Sequence, residues 1–154
     1  TISENIALAL SINKTPARDV EPRIQDIAQK LNITDILNKY PYQVSGGQKQ
    51  RCACARAIIN NPKLLLADEP TGALDSHSAQ MLLSTIQSIN EQLSATILMV
   101  THSIKAASHA GRVLFIKDGT VFHQIYRGEL QREAMYQKIS DTLTLLTTGG
   151  NSHE

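Results

Sequence analysis

Two adjacent glycines follow a serine at the point where a loop gives way to a predicted helix. The string is Ser45-Gly46-Gly47-Gln48, and the helix it opens continues to about Ile59. Ser45 suits the N-cap position, where its hydroxyl accepts a hydrogen bond from the first turn. Glycines in that turn leave backbone N–H groups bare, and those groups together with the helix dipole bind anions. Taken alone, Ser-Gly-Gly favours an ordinary capped helix start, so the anion site is one of two interpretations.

Two short apolar runs further along end in polar residues. Leu64 to Ala67 leads into Asp68-Glu69, and Thr96 to Val100 leads into Thr101-His102. Unbroken apolar runs of this length are typical of strands covered on both faces. Each ending has an ordinary interpretation when taken alone, a solvated acidic pair in one case and a structural histidine in the other.

The segment between these two runs predicts a long helix from about Ser76 to Leu93, with leucines and isoleucines on one side. A strand, helix, strand unit has a right-handed crossover, which makes its two strands parallel. The polar strand ends then lie along the same edge of the sheet, and ligands bind at that edge in open α/β sheets. Asp68, Glu69 and His102 therefore form one candidate site.

The remaining pattern predicts elements on both sides of this unit. Residues 1–43 predict a small helical unit, because Thr1 and Glu4 have capping-box spacing and Val20, Ile24, Ile27 and Leu31 repeat with helical period. A third short helix is predicted around Ile33 to Leu37. Later segments predict a helix over 104–110, strands at 113–116 and 121–122 joined by an Asp118-Gly119 hairpin turn, and a helix over 132–146 that is closed by Gly149-Gly150.

Four strings resemble motifs of the ATP-binding-cassette (ABC) family and occur in the family's order. Val44 to Gln48 is similar to the signature sequence, with valine where leucine is usual, and Leu64 to Pro70 is similar to the Walker B strand. Thr71 to Asp75 resembles the D-loop, and Thr101-His102 resembles the switch histidine. The resemblance spans nearly the whole chain. It implies an α/β fold, the C-terminal part of a P-loop NTPase (RecA-like) nucleotide-binding domain with its helical subdomain.

The resemblance also implies roles for individual residues. Asp68 would hold Mg²⁺ through its water shell, because this cation prefers oxygen ligands and keeps several waters. Glu69 would orient or deprotonate the attacking water, and His102 would contact the γ-phosphate. Family members pair head to tail, so Ser45, Gly46, Gly47 and Gln48 would contact the ATP of a second subunit. Asp75 would lie at the dimer interface, and it is also suited to cap the long helix.

One part of the family machinery is missing from the sequence. No Gly-x-x-x-x-Gly-Lys-Ser/Thr string occurs, and such a loop holds the β- and γ-phosphates. The first residues also read like the middle of a domain. We therefore expect an upstream segment, and we expect residues 1–154 alone not to hydrolyse ATP. The expected organisation is a helical subdomain over 1–60, the α/β core and hairpin over 61–128, and a C-terminal helix and tail over 129–154.

Composition limits the expected partners. The 15 basic and 14 acidic residues give a formal net charge of +1, which does not indicate nucleic acid binding. Cys52 and Cys54 point to different sides of a helix, so neither a disulfide nor a metal pair is expected. No apolar run reaches the ~20 residues of a membrane helix, so any membrane attachment must go through a partner. The resemblance implies that this partner is a permease and that the chain lies at the cytoplasmic face of the membrane.

The family branch is a further expectation. The D-loop sequence is similar to that of the ABC branch for lipoprotein release, macrolide efflux and antimicrobial-peptide resistance. Residues 118–129 look more like the bacitracin-resistance type. Two alternatives remain: a non-catalytic truncated product, and a soluble ABC ATPase of translation or DNA maintenance.

Overall fold

The computed structural model describes residues 1–148. The chain forms two compact units, one of residues 1–99 and a second that begins at Val100. The predicted helix stop at Gly149-Gly150 lies outside the described residues.

The first unit contains four α-helices and two strands, and it also contains two short 3₁₀ turns. The first of these turns lies where the sequence predicted a third short helix. In chain order the elements are α1 (Ile2–Ile12), α2 (Ala17–Lys30), the 3₁₀ turns Thr34–Ile36 and Pro41–Gln43, α3 (Gly46–Ile58), β1 (Leu64–Asp68), α4 (Ser76–Leu93) and β2 (Thr96–Val100).

The capping box predicted for α1 is present. The Thr1 hydroxyl accepts a hydrogen bond from the Glu4 backbone N–H at 3.2 Å, and the Glu4 carboxylate accepts one from the Thr1 amino group. This exchange satisfies donors that a helix start otherwise leaves open. The start of this helix was therefore predictable from two residues that lie close together in the sequence.

The core of the first unit lies around α3, which packs against α1 on one side and α4 on another. Ala55, in the second half of α3, is fully buried. Its small methyl side chain lets the neighbouring helices approach closely. The core also contains isoleucines and leucines from every helix of the unit, among them Ile6, Leu10, Ile24, Ile27, Ile58 and Ile89. This packing holds the beginning of α3 in place.

Strands β1 and β2 are hydrogen-bonded neighbours. The Thr96 N–H donates to the Lys63 carbonyl at 2.9 Å, so the two strands begin side by side, as the predicted parallel pair requires.

The prediction that both faces of this sheet are covered was wrong. Leu65 and Ile97 pack into the helical core, but the side chains on the other face are exposed. They are Leu64, Leu66, Leu98 and Val100, each more than half exposed. The reason is geometric, since successive side chains of a strand point to opposite faces and the helices of residues 1–99 cover only one of them.

The second unit is a hairpin packed against a helix. It contains α5 (Ile104–Ala107), β3 (Arg112–Lys117), β4 (Thr120–Tyr126) and α6 (Arg132–Thr148). Asp118 and Gly119 have φ angles of 50° and 74°, as a two-residue primed turn requires, so the hairpin prediction is confirmed. Phe115 and Ile125 on one face of the hairpin pack with residues of α6.

The helix predicted over 104–110 is shorter in the structure. The α-helix ends at Ala107, and the N–H groups of His109 and Ala110 bond to carbonyls three residues earlier. Such bonds close turns tighter than those of an α-helix, so the apolar pattern overestimated the helix.

Replacing a core isoleucine of α1 with alanine tests this packing. Ile6 is fully buried and Ile12 is 74% exposed on the same helix. We expect Ile6→Ala to lower the free energy of unfolding by about 2–5 kcal/mol, because it leaves a cavity. The matched change Ile12→Ala should stay within about 0.5 kcal/mol. Urea denaturation of the 154-residue chain measures both, and equal effects would contradict the assigned core.

Candidate functional site

The first turn of α3 is built as the sequence predicted, with Ser45 at the N-cap. The Ser45 hydroxyl accepts a hydrogen bond from the Gln48 N–H at 3.3 Å, and the Gln48 carboxamide oxygen accepts one from the Ser45 N–H at 2.9 Å. The pair is a capping box. Its spacing, serine followed three residues later by glutamine, was visible in the sequence but was not used there.

The capping box uses the N–H groups of Ser45 and Gln48, so the backbone N–H groups of the two glycines remain as donors at this helix start. Gly46 and Gly47 occupy the first two helical positions, where N–H groups have no partner within a helix. No acidic residue lies in the first turn of α3, so the positive end of the helix dipole is not neutralised locally. The exposed Gly46 side of this turn therefore suits an anion.

The end of β1 carries the acidic pair. Asp68 is the last residue of the strand and is exposed, whereas Glu69 is half-buried. Glu69 has a φ of 41°, a left-handed conformation that costs free energy for any residue except glycine. Its carbonyl accepts a hydrogen bond from the Gly72 N–H at 3.0 Å. The chain thus turns sharply at Glu69, directly after the strand.

Asp75 caps α4. One carboxylate oxygen accepts hydrogen bonds from the N–H groups of His77 and Ser78, both at 3.0 Å. The hydrogen bonds from the Ser78 side chain and from the Ser78 N–H lower the pKa of Asp75 below its ordinary value. The capping role predicted for Asp75 is confirmed.

The structure brings the start of α3 against the segment that follows β1. A Cβ on Gly46 would lie 3.4 Å from the Leu74 Cδ2 atom. A Cβ on Gly47 would lie only 3.0 Å from the Cβ of Ser78. The glycine pair therefore packs against residues on either side of the Asp75 cap, within the first unit. No sequence signal pointed to Ser78, because 31 positions separate it from Gly47.

His102 belongs to the second unit, where its side chain is exposed. It lies between β2 and α5, in a segment ordered by two local hydrogen bonds. Ser103 N–H donates to the Thr101 hydroxyl at 3.0 Å, and the Ser103 hydroxyl accepts from Ala106 N–H at 3.2 Å. The proximity of His102 to Glu69 remains a prediction from the crossover rule.

Other titratable side chains do not form a second reactive centre in the described part of the chain. Within residues 1–148, no group of three or more His, Cys, Asp or Glu side chains is placed to share a metal ion. Burial raises the pKa of the Cys54 thiol to about 11 and raises that of Cys52 as well, so both thiols stay protonated near neutral pH. Both cysteines are free, as the sequence predicted.

Four histidines match none of the motifs, and a histidine of this kind is expected at the surface. His77 and His123 are exposed, and His153 lies outside the described residues. His109 differs, because it is half-buried, and its carbonyl accepts a hydrogen bond from the Arg127 guanidinium at 3.3 Å. Burial, and after it the charges of Arg132, Arg127 and Lys105, lower the pKa of His109. This histidine is therefore neutral at physiological pH.

Comparison with known proteins gives consistent results. A sequence family described as ABC transporter matches residues 1–72. The uncharacterized ABC transporter ATP-binding protein YvcR of Bacillus subtilis is 53% identical over 154 residues, which is all of this chain and 58% of that protein. The bacitracin export ATP-binding protein BceA of Halalkalibacterium halodurans is 47% identical over 99% of this chain and 60% of that protein.

The chain is thus similar to ATP-binding proteins of ABC transporters over its full length. Its fold agrees with this similarity. The dimeric ATP-binding cassette MJ0796, solved in a post-hydrolysis state with ADP and Pi, matches with a TM-score of 0.67 and 32% identity over 82% of this chain and 56% of that one. The α/β fold class and the ABC resemblance inferred from the motifs are thus confirmed. The chain spans about 58–60% of the length of these curated relatives.

The Asp75 cap predicts a specific pH dependence of the stability of this chain. The folded-state pKa of Asp75 lies below its value in the unfolded chain, so the cap stabilises the fold fully above the unfolded pKa. That contribution should be lost as the pH falls below about 4 and through the folded pKa. We expect Asp75→Asn to reduce the acid dependence of stability, measured by urea unfolding at several pH values. An unchanged pH profile in Asp75→Asn would contradict the assigned hydrogen bonds.

Proposed function

We propose that this chain is part of the ATP-hydrolysing subunit of an ABC transporter and that it powers a membrane permease. The observation that carries the proposal is the surface in the first unit, where Gly46 and Gly47 meet the segment containing Leu74 and Ser78. There a helix start suited to anions packs beside the segment that follows the acidic turn of β1. The helix start suits a phosphate group, and the acidic pair suits a hydrated Mg²⁺ ion.

The start of α3 would contact ATP bound to a second copy of the subunit. The N–H groups of Gly46 and Gly47 would donate to phosphate oxygens, and the Ser45 hydroxyl retains its own O–H to donate as well. Gln48 has a supporting role, since its side chain holds the N-cap backbone. The fit of an anion is favoured by the exposed Gly46 and the absence of acidic residues in this turn.

The polar ends of the strands would act on the nucleotide of the subunit itself. When bound, Mg²⁺-ATP supplies the phosphoanhydride bond that is hydrolysed. Asp68 is exposed and would be the oxygen donor for Mg²⁺, a cation that keeps several water ligands. Glu69 would hold the proton of the attacking water on its carboxylate. His102 would donate a hydrogen bond to the γ-phosphate.

We also propose that the functional protein contains a phosphate-binding loop on further sequence. Three observations support this: the absence of the loop string from the 154 residues, the 58–60% coverage of the relatives, and the exposed apolar face of the β1–β2 sheet. The division into a helical subdomain over 1–60, a core over 61–128 and a C-terminal part over 129–154 is retained as part of this proposal.

The proposed partners are a second ATPase subunit, in a head-to-tail pair, and an integral-membrane permease at the cytoplasmic face. None of the helices in residues 1–148 is long and apolar enough to cross a bilayer. The similarity to BceA supports a transporter of the bacitracin-resistance type.

Glu69→Gln in the full-length subunit tests the catalytic assignment. The amide keeps the size of the side chain but cannot accept the proton, so ATP turnover should fall by roughly 10²–10⁴-fold while ATP binding persists. Steady-state hydrolysis and equilibrium binding of ATP measure the two effects. Glu91→Gln on the exposed face of α4 is the matched control and should leave turnover unchanged. Near-normal hydrolysis by Glu69→Gln would eliminate the general-base role.

Mg²⁺-ATP binding to the 154-residue chain tests the proposed dependence on a phosphate loop. We expect absent or millimolar binding together with a folded circular-dichroism spectrum, because the proposed partners of the β- and γ-phosphates lie on other sequence. Isothermal titration calorimetry gives the affinity. Micromolar binding by the folded chain would overturn this part of the proposal.

A further inference from the structure

Helices α3 and α4 are close together where Gly47 meets Ser78. Gly47 is buried, and a Cβ on it would lie 3.0 Å from the Ser78 Cβ and 3.1 Å from the Ser78 Oγ. Such distances are shorter than van der Waals contact. Position 47 therefore accepts a side chain only if Ser78 shifts by a few tenths of an ångström. This requirement is separate from any contact of the glycine with a phosphate.

The neighbouring Gly46 does not share this constraint. A Cβ there would meet only the end of the Leu74 side chain, at 3.4 Å, and Gly46 is exposed. The end of a leucine side chain can move aside more easily than the first turn of a helix. The two glycines of the signature string thus face different surroundings, and only Gly47 is in tight contact with α4.

Ser78 makes a second contact on its other side. Its backbone N–H donates to the Asp75 carboxylate at 3.0 Å, and the interaction of its side chain with that carboxylate is the largest cause of the lowered pKa of Asp75. A single small residue therefore touches both the start of α3 and the carboxylate that caps α4. Alanine at position 78 would keep the backbone hydrogen bond to Asp75 but lose the interaction of the serine side chain with that carboxylate.

We propose that Ser78 is a positioning residue that fixes the spacing between Gly47 and Asp75, so that the start of α3 and the D-loop move as one body. The significance of this link rests on the proposed function, in which both segments meet the second subunit. A displacement of α3 when its N–H groups engage a phosphate would then be transmitted to Asp75 through one serine. The signature string and the D-loop would contact the partner subunit as a single surface.

A double-mutant cycle in the 154-residue chain tests the steric half of the proposal. Gly47→Ala should lower the melting temperature by about 5 °C, because overpacked contacts must be relieved by movement. Ser78→Gly removes both close atoms, so the double variant should lose at least about 2 °C less than the sum of the two single changes. The cycle cancels the cost of a glycine within α4 itself. Gly46→Ala is the matched control, and it should show no coupling to Ser78→Gly.

The titration of Asp75 tests the link between the two segments. Carboxyl-carbon NMR on the folded chain should give a higher Asp75 pKa in Ser78→Ala, since the side-chain hydrogen bond is lost. Gly47→Ala should raise the same pKa, although Gly47 makes no hydrogen bond with Asp75, because the added methyl displaces Ser78. A purely structural contact would lower stability without moving this pKa. The Gly46→Ala control should leave the titration unchanged.

Each outcome bears on the proposal. Additive losses in the cycle, or an Asp75 pKa that stays constant in the folded Gly47→Ala variant, would overturn it. If Gly47→Ala does not fold, Ser78→Ala still decides whether the serine holds Asp75, and an unchanged pKa there overturns the proposal as well. All of these measurements are made on the chain without nucleotide. Failure of the full-length subunit to hydrolyse ATP would therefore reject the proposed function and leave the Ser78 link standing.

Discussion

The packing of α3 between α1 and α4 is the constraint on which the first unit depends. The buried side of α3 begins with Gly47 and continues through Cys52 and Ala55 to Ile58. Its first members are small, so α4 can approach at the start of α3 while the larger Ile58 fills the core further along. The position of the capped helix start, and with it the direction of its bare N–H groups, follows from this packing rather than from the signature string itself.

Strain and local hydrogen bonds complete the surface at the end of β1. A left-handed Glu69 is unfavourable by itself, and it persists where the surrounding structure determines the backbone. Here the turn is fixed on its far side by the Gly72 bond to the Glu69 carbonyl and then by the Asp75 cap. Buried Leu65 anchors the strand from which the turn leaves. The acidic pair is thus presented by a rigid element followed by a tightly bonded turn.

The β1–β2 sheet has a second face that is apolar and exposed. Leu64, Leu66, Leu98 and Val100 lie on the side of the β1–β2 sheet that faces away from the helical core. Large exposed apolar patches are uncommon on isolated soluble proteins and are typical of surfaces that other elements or partners cover. The chemistry of the strand ends and the exposure of the strand faces are therefore separate properties of the same two strands.

Most of the secondary structure was determined locally and could be predicted from the sequence. The Thr1–Glu4 capping box, the Ser45 and Asp75 caps and the Asp118-Gly119 turn depend on residues a few positions apart, and all of them are present. The apolar pattern was wrong in two places, at the early end of α5 and at the exposed face of the sheet. It shows where apolar residues lie, but it does not show which hydrogen bonds a segment forms or which neighbours cover it.

The sequence by itself therefore determined which segments form helices and strands, which motifs they carry and the family that the chain resembles. Only the tertiary structure decided that Gly47 is pressed against Ser78, the residue whose N–H also takes part in the Asp75 cap. The physical reason is that caps and turns arise from neighbouring residues, whereas the approach of two helices depends on the summed packing of side chains far apart in the chain. No spacing rule relates positions 47 and 78.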